Sequence, residues 1–200
     1  KQQSRYEVVR DRAAETGLPV VYANQVGGQD ELVFDGASFA MDGAGRLTHQ
    51  FAAFAEVLGF IEIASGVPVR GEIVPAQSIE AEVYHALTMG VRDYVNKNGF
   101  PGVLLGLSGG IDSALTLAVA ADALGPEGVK AVMMPFDYTA KMSEEDAAAE
   151  AAALGVDYSV VPIAPMYHAF MQGLQRQQGL DPLLPRFADA DQQARRERHT

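Results

Sequence analysis

Ser108, Asp112 and Ser113 sit close together in the run Gly106-Leu107-Ser108-Gly109-Gly110-Ile111-Asp112-Ser113. Two chemistries fit these residue types. Residues 106–110 match G-x-S-x-G, the strand-to-helix elbow that presents a serine nucleophile. The same residues also suit a loop that holds phosphates. Glycines let backbone approach anionic oxygens closely, and a helix beginning at Asp112-Ser113 would turn free N–H groups toward the anion. Ser108 and Ser113 would add hydroxyl donors. Asp112 beside a polyphosphate is repulsive unless a divalent cation lies between them, which points to Mg²⁺. The nucleophile reading needs an acid and then a histidine downstream. Only His168 and His199 follow, one in a helical stretch and one in a polar tail. That reading also leaves Asp112 without a task, so the phosphate loop is preferred. The loop is neither a Walker loop nor G-x-G-x-x-G, because the required Gly-Lys-Ser/Thr and glycine spacings are missing.

The elements around the loop alternate. Ser78 caps a helix with apolar positions Ile79, Val83, Leu87, Val91 and Tyr94/Val95, ended by Asn98-Gly99 with Pro101. A strand over 103–107, helix 113–124, strand 129–134, helix 143–154 capped by Ser143, strand 157–161 and a helix from about Met166 come next. Apolar strands alternating with helices predict a parallel sheet with helices on both faces, an α/β doubly wound domain. Ligands bind such sheets at the carboxyl ends of strands, here 106–113 and 134–143. Upstream lie a helix ending at Gly17, a strand over 18–26, a turn at 27–31, and two short strands bent at Asp35-Gly36, read as a hairpin. Residues 50–64 are ambiguous, with strand favoured for their end. The Pro- and Gly-containing stretch 65–77 reads as the domain boundary, dividing the chain into residues 1–70 and 71–200.

Composition narrows the classes. A hydrophobic fraction of 48% supports a packed core, and a net charge of −11 argues against a nucleic-acid or anionic-membrane surface. Nucleotides remain open, since backbone N–H groups and Mg²⁺ can meet their phosphates. Cysteine is absent, so this chain holds no cysteine nucleophile. No apolar run approaches the roughly 20 residues of a membrane span, and the chain reads as cytoplasmic. It starts at Lys1 inside a helical pattern and reads as a segment of something longer.

The motif Ser108-Gly109-Gly110-Ile111-Asp112-Ser113 is shared by enzymes that split ATP into AMP and pyrophosphate. Residues 80–125 resemble the start of the synthetase domain of glutamine-dependent NAD synthetases, and 132–158 resemble the next part of that domain. Residues 19–42 resemble the late part of the nitrilase-type glutaminase domain of the same family. The resemblance implies a PP-loop (HUP-like) nucleotide-binding domain in 71–200, preceded by the C-terminal part of a nitrilase-like α-β-β-α domain in 1–70. It implies an amide ligase that uses ATP and Mg²⁺ to adenylate the carboxylate of nicotinic acid adenine dinucleotide. Ammonia from glutamine would then form the amide. The implied ATP site is Gly106, Leu107, Ser108, Gly109, Gly110, Ile111, Asp112, Ser113 and Met134, with Mg²⁺ on Asp112 and adenine read by backbone at Met134. The family's Glu-Lys-Cys glutaminase triad is implied upstream of Lys1, so this segment alone is expected to be inactive. Homo-oligomers are implied too. The dinucleotide-binding helix of the family is echoed only by 191–198. Two alternatives stand beside it, another AMP-forming amidotransferase of the GMP synthetase kind and a truncated non-catalytic nucleotide-binding module.

Other residues have plainer readings. Tyr94 is expected in the core, with Arg92 and Asp93 in surface or interdomain pairs. His85 and His168 are expected to be structural. Glu144, Glu145 and Asp146 read as an acidic first helical turn. Lys141 reads equally well as a phosphate ligand or a solvated lysine.

Overall fold

In a computed structural model, residues 2–175 are described. The chain opens with α1 (Gln2–Thr16), stopped at Gly17, then β1 (Val20–Tyr22), β2 (Val26–Gln29), β3 (Leu32–Asp35), β4 (Phe39–Met41) and β5 (Leu47–Gln50). Strand order β1-β4-β5 makes an antiparallel sheet, and β2-β3 is a separate hairpin. β4 is buried throughout. Phe39 packs edge-on against Tyr6 of α1 and stacks on Tyr22 of β1, with ring centroids 4.8 and 5.0 Å apart.

Two local readings are corrected here. The hairpin turns at Asp30-Glu31, so Gly27–Gln29 are strand and not turn. Asp35-Gly36 is no hairpin either. It is the bend where the chain leaves one ladder for another, because β4 finds its partners in β1 and β5. Residues 51–62 are mostly irregular, apart from a single antiparallel bridge of Ala53 to Gly36, and Ile63–Ala64 (β6) pair with Val67–Pro68 (β7). The segment 69–74 has no regular structure, yet its backbone is tied to β5. Gly71 N–H donates to the Thr48 carbonyl at 3.1 Å, Gln50 N–H to Glu72 at 3.0 Å, and Val74 N–H to Gln50 at 3.0 Å.

Then come α2 (Ile79–Lys97), β8 (Val103–Gly106), α3 (Ile111–Leu124), β9 (Val129–Met133), α4 (Lys141–Leu154), β10 (Asp157–Val160) and α5 (Ala164–Gln175). Ser78 caps α2, accepting from the Ala81 N–H. β8, β9 and β10 form a parallel sheet in order β10-β9-β8. Val103, Leu105, Val129, Ala131 and Tyr158 face α3 and α4, which contribute Leu117, Ala120, Ala121, Ala147 and Ala151 to the core. Alanines on these helices let their backbones approach the strands. Because the strands follow one another sideways and crossovers are right-handed, α3 and α4 share one face and pack side by side. The opposite face carries Leu104, 72% exposed, with Lys130 and Ser159. The described residues thus hold one helix layer of this α/β sheet. On α2 the buried residues are Met89 and Val95, whereas Ile79, Val83, Leu87 and Tyr94 stay exposed. Tyr94 is therefore not a core residue, and packs against Phe100 at 6.1 Å instead. Among the described residues, no helix is long and apolar enough to cross a membrane.

Candidate nucleotide site

β8 ends at Gly106, and the loop beyond it is fastened to the sheet by Leu107. Its N–H donates to the Val132 carbonyl at 2.9 Å, and its side chain is 2% exposed. Leu107 is an anchor from which Ser108, Gly109 and Gly110 project at the carboxyl end of the sheet. Gly109 takes φ +76, and a Cβ there would lie 2.2 Å from the Ser143 carbonyl oxygen at the start of α4. Only glycine fits.

Helix α3 begins at Ile111, two residues earlier than the sequence pattern predicts, with Gly110 in the cap position and no side chain capping it. Its first-turn N–H groups lack intrahelical acceptors and form an anion-binding end. Asp112 is exposed in that turn, and its carboxylate has no ion pair among the described residues. Ile111 is 81% exposed. Both serine hydroxyls are engaged within the loop. Ser113 Oγ donates to the Gly110 carbonyl at 2.8 Å and accepts from the Ser108 N–H at 3.2 Å. The two Oγ atoms are 3.0 Å apart, and Ser108 Oγ accepts from the Gly110 N–H at 3.3 Å. These bonds hold the loop open toward an anion. Among the described residues, no histidine joins Ser108. His168 instead faces Asp137 at 3.5 Å and Phe136 at 6.2 Å. The nucleophile alternative has no base among the described residues, while the Asp112 carboxylate beside an anion-binding helix start could hold Mg²⁺, a hard cation commonly shared between a carboxylate and phosphate oxygens.

A cleft of about 240 Å³ opens beside the loop, lined by Gly106, Leu107, Ser108, Met133, Met134 and Thr139. Met134, half-exposed just past β9, extends its Cε over Gly106. Thr139 went unnoticed in the sequence. It closes a turn in which its Oγ1 accepts from Phe136 N–H and its own N–H donates to Phe136 O, both at 2.8 Å. A threonine three residues after an aromatic, just past a strand-ending proline, was the available signal. All nine sequence-proposed residues, Gly106–Ser113 and Met134, thus gather at the carboxyl ends of β8 and β9.

The remaining candidates fall elsewhere. α4 starts at Lys141 behind Ala140, so Ser143 lies inside the helix and is not its cap. Lys141 bends along its own helix to Glu145 at 3.2 Å. His85 Nδ1 meets Gln77 Oε1 at 2.7 Å, in contact with Phe54. Asp93 accepts from the Gly28 N–H at 2.7 Å, joining α2 to β2. Burial pushes its carboxyl up, but the Gly28 N–H and the Arg92 and Lys97 charges outweigh that and hold it below the ordinary aspartate value. Asp35, at the end of β3, accepts from Arg5 Nη1 at 2.8 Å and Asn24 Nδ2 at 2.9 Å. It lines a second cleft of about 710 Å³ between α1, β3 and α2. The 191–198 echo of a dinucleotide helix lies outside the described residues.

Comparison with known proteins agrees with this geometry. The NAD synthase family model matches residues 83–199, well past the segments that carry the resemblance in the sequence. The chain is similar to the glutamine-dependent NAD(+) synthetase of Acinetobacter baylyi, 46% identical over 87% of this chain and 32% of the relative. The Xylella fastidiosa enzyme of the same name is 44% identical over 87% of this chain and 33% of its own length. The chain therefore spans about a third of the length of these relatives. In three dimensions it matches the glutamine-dependent NAD+ synthetase of Acinetobacter baumannii in complex with ADP. The TM-score is 0.83 and the identity 47%, over 86% of this chain and 33% of the other. A Cytophaga hutchinsonii enzyme of the same kind shares the fold at TM-score 0.71 and 17% identity, over 92% of this chain and 38% of the other. On the match of more than half its residues to the family model, the chain belongs to the NAD synthase family.

Proposed function

We propose that this chain is the ATP-handling start of a glutamine-dependent NAD+ synthetase, residues 71–200, joined to the end of its glutaminase domain, residues 1–70. The observation that carries the reading is the uncapped start of α3 behind Ser108-Gly109-Gly110, with Asp112 in its first turn and the Met134–Thr139 cleft beside it. The names and identities of the relatives support it.

In this reading the carboxylate of nicotinic acid adenine dinucleotide attacks the α-phosphorus of ATP. Pyrophosphate leaves onto the loop and an acyl adenylate forms. Ammonia released from glutamine then attacks the acyl carbon, expelling AMP and losing a proton, which leaves the amide of NAD+. The amides of Gly109 and of Ile111 to Ser113 receive the departing pyrophosphate, where negative charge grows. Mg²⁺, held by Asp112, would neutralise phosphate charge. Met134 and Thr139 border the space for the nucleoside. The Ser108–Ser113 hydroxyl bonds keep the loop preorganised, so little reorganisation accompanies the transfer.

Calorimetric titration with Mg·ATP, on the chain and on Asp112→Ala, tests the site. Saturable binding weakened tenfold or more by the substitution, about 1.4 kcal/mol, supports the assignment. No binding by a chain that is folded by circular dichroism overturns it. In a polypeptide of the relatives' full length carrying this sequence, AMP release should require nicotinic acid adenine dinucleotide. Release with xanthosine monophosphate alone would instead show a GMP synthetase-like ligase.

A further inference from the structure

Two segments line the cleft beside the phosphate loop. Residues 106–108 belong to the loop itself, and the chain leaving β9 brings Met133, Met134 and Thr139. They are held by different neighbours. The phosphate loop is tied to β9 through Leu107 and braced at Gly109 by the first turn of α4. The chain after β9 is held by residues 161–168, which lead from β10 into α5. Val161 N–H donates to the Met133 carbonyl at 2.8 Å and Ile163 N–H to the Pro135 carbonyl at 3.1 Å.

Phe136 is where these two stretches interlock. Its ring meets Tyr167 of α5 edge-on at 5.1 Å and Tyr138 of its own turn edge-on at 4.8 Å, with the His168 ring 6.2 Å away. Edge-to-face rings attract beyond the area they bury. The Tyr167 and His168 rings also lie 5.8 Å apart, and His168 Nε2 stands 3.5 Å from Asp137 Oδ2, next to Phe136 in the chain. Both backbone polar groups of Phe136 are bound to Thr139. Its N–H donates to Thr139 Oγ1 and its carbonyl accepts from Thr139 N–H, each at 2.8 Å. The ring thus sits against α5, while the peptide on either side holds a residue that lines the cleft.

We propose that Phe136 is a positioning residue for the nucleoside half of the site, a role that rests on the nucleotide site proposed above. Seated among Tyr138, Tyr167 and His168, its ring sets the turn that carries Thr139 and the course of the chain from Met134. It stands behind the cleft and touches no substrate. Because the phosphate loop has braces of its own, loss of this socket is felt by the nucleoside and not by the phosphates.

Calorimetric titration with Mg·ATP and with Mg·pyrophosphate tests this on the chain and on Phe136→Ala, Tyr167→Ala and Tyr167→Phe, each shown by circular dichroism to be folded. Both alanine variants should bind Mg·ATP at least fivefold more weakly and Mg·pyrophosphate within twofold of the parent. Tyr167→Phe keeps the ring and should stay within twofold for both ligands. Unchanged Mg·ATP affinity in Phe136→Ala, equal weakening for the two ligands, or a Tyr167→Phe as impaired as Tyr167→Ala overturns the positioning role. Hydrogen exchange reads the socket without any ligand. In Tyr167→Ala the Phe136 and Thr139 amides should exchange at least tenfold faster while the Leu107 amide keeps its protection, and unchanged rates overturn the socket. If the parent binds no Mg·ATP, the proposed function fails, and the exchange result alone decides whether α5 holds the turn.

Discussion

Gly109 and Ser143 meet backbone to backbone, with no room for even a methyl group between the phosphate loop and the first turn of α4. The loop is thus braced from two elements, by Leu107 on β9 and by Ser143 on α4.

Gly109→Ala should weaken Mg·ATP binding by at least tenfold. A non-glycine residue at φ +76 costs about 1–2 kcal/mol before the clash with Ser143 is counted. Gly110→Ala is the comparison, because Gly110 has ordinary extended backbone (φ −93, ψ 153) and its nearest neighbour is the Ser108 hydroxyl at 3.4 Å. Titration calorimetry on both decides. Equal affinities for the two variants would show that the brace has no bearing on binding.

Ser113→Ala removes the hydroxyl that bonds Gly110 O and Ser108 N–H. One such bond contributes roughly 0.5–1.5 kcal/mol net, so ATP affinity should fall about two- to tenfold with the melting temperature nearly unchanged. Ser108 should not react with a fluorophosphonate probe. Labelling that disappears in Ser108→Ala would revive the serine nucleophile.

The acid limb of stability should involve Asp93. Its folded pKa lies below the unfolded value, so its stabilising contribution is complete above the ordinary aspartate range, about 3.9, and declines as pH falls through the folded value. Thermal melts from pH 7 to pH 3 should show Asp93→Ala less stable at neutral pH, with the gap to the parent closing toward pH 3. A gap that is constant or widens in acid contradicts this sign.

Leu117→Ala should cost about 2–5 kcal/mol, since Leu117 is fully buried between α3 and the parallel sheet. Urea unfolding measures it. A loss below about 1 kcal/mol would mean that α3 can collapse onto the strands and fill the space.

The residues differ in how much they reveal locally. The placement of Gly106 through Ser113 between a strand and a helix start could be read directly, because the segment is contiguous and its glycines, serines and carboxylate lie within a few residues of backbone. Ser78 was legible as a cap for the same reason, with its acceptor three residues away. Ser143 misled because Ser followed by Asp three residues on imitates a capping box, whereas α4 had already begun at Lys141. Tyr94 misled because a helical stripe shows periodicity and does not say which face is covered. On α2 the neighbours α3 and the β2–β3 hairpin bury Met89 and Val95 instead.

Sequence alone determined the alternation of strand and helix, set by interactions within a few residues, from which the parallel sheet follows as the way to bury the apolar strands. Tertiary structure decided the rest. It tied 69–74 to β5, sent β4 to β1 and away from β3, brought Thr139 to the cleft, and set Asp93 and Lys97 on the N–H and carbonyl of the distant Gly28. These pairings bond backbone groups or join side chains far apart in the chain, and neither residue type nor spacing encodes which distant N–H or carbonyl will arrive as partner.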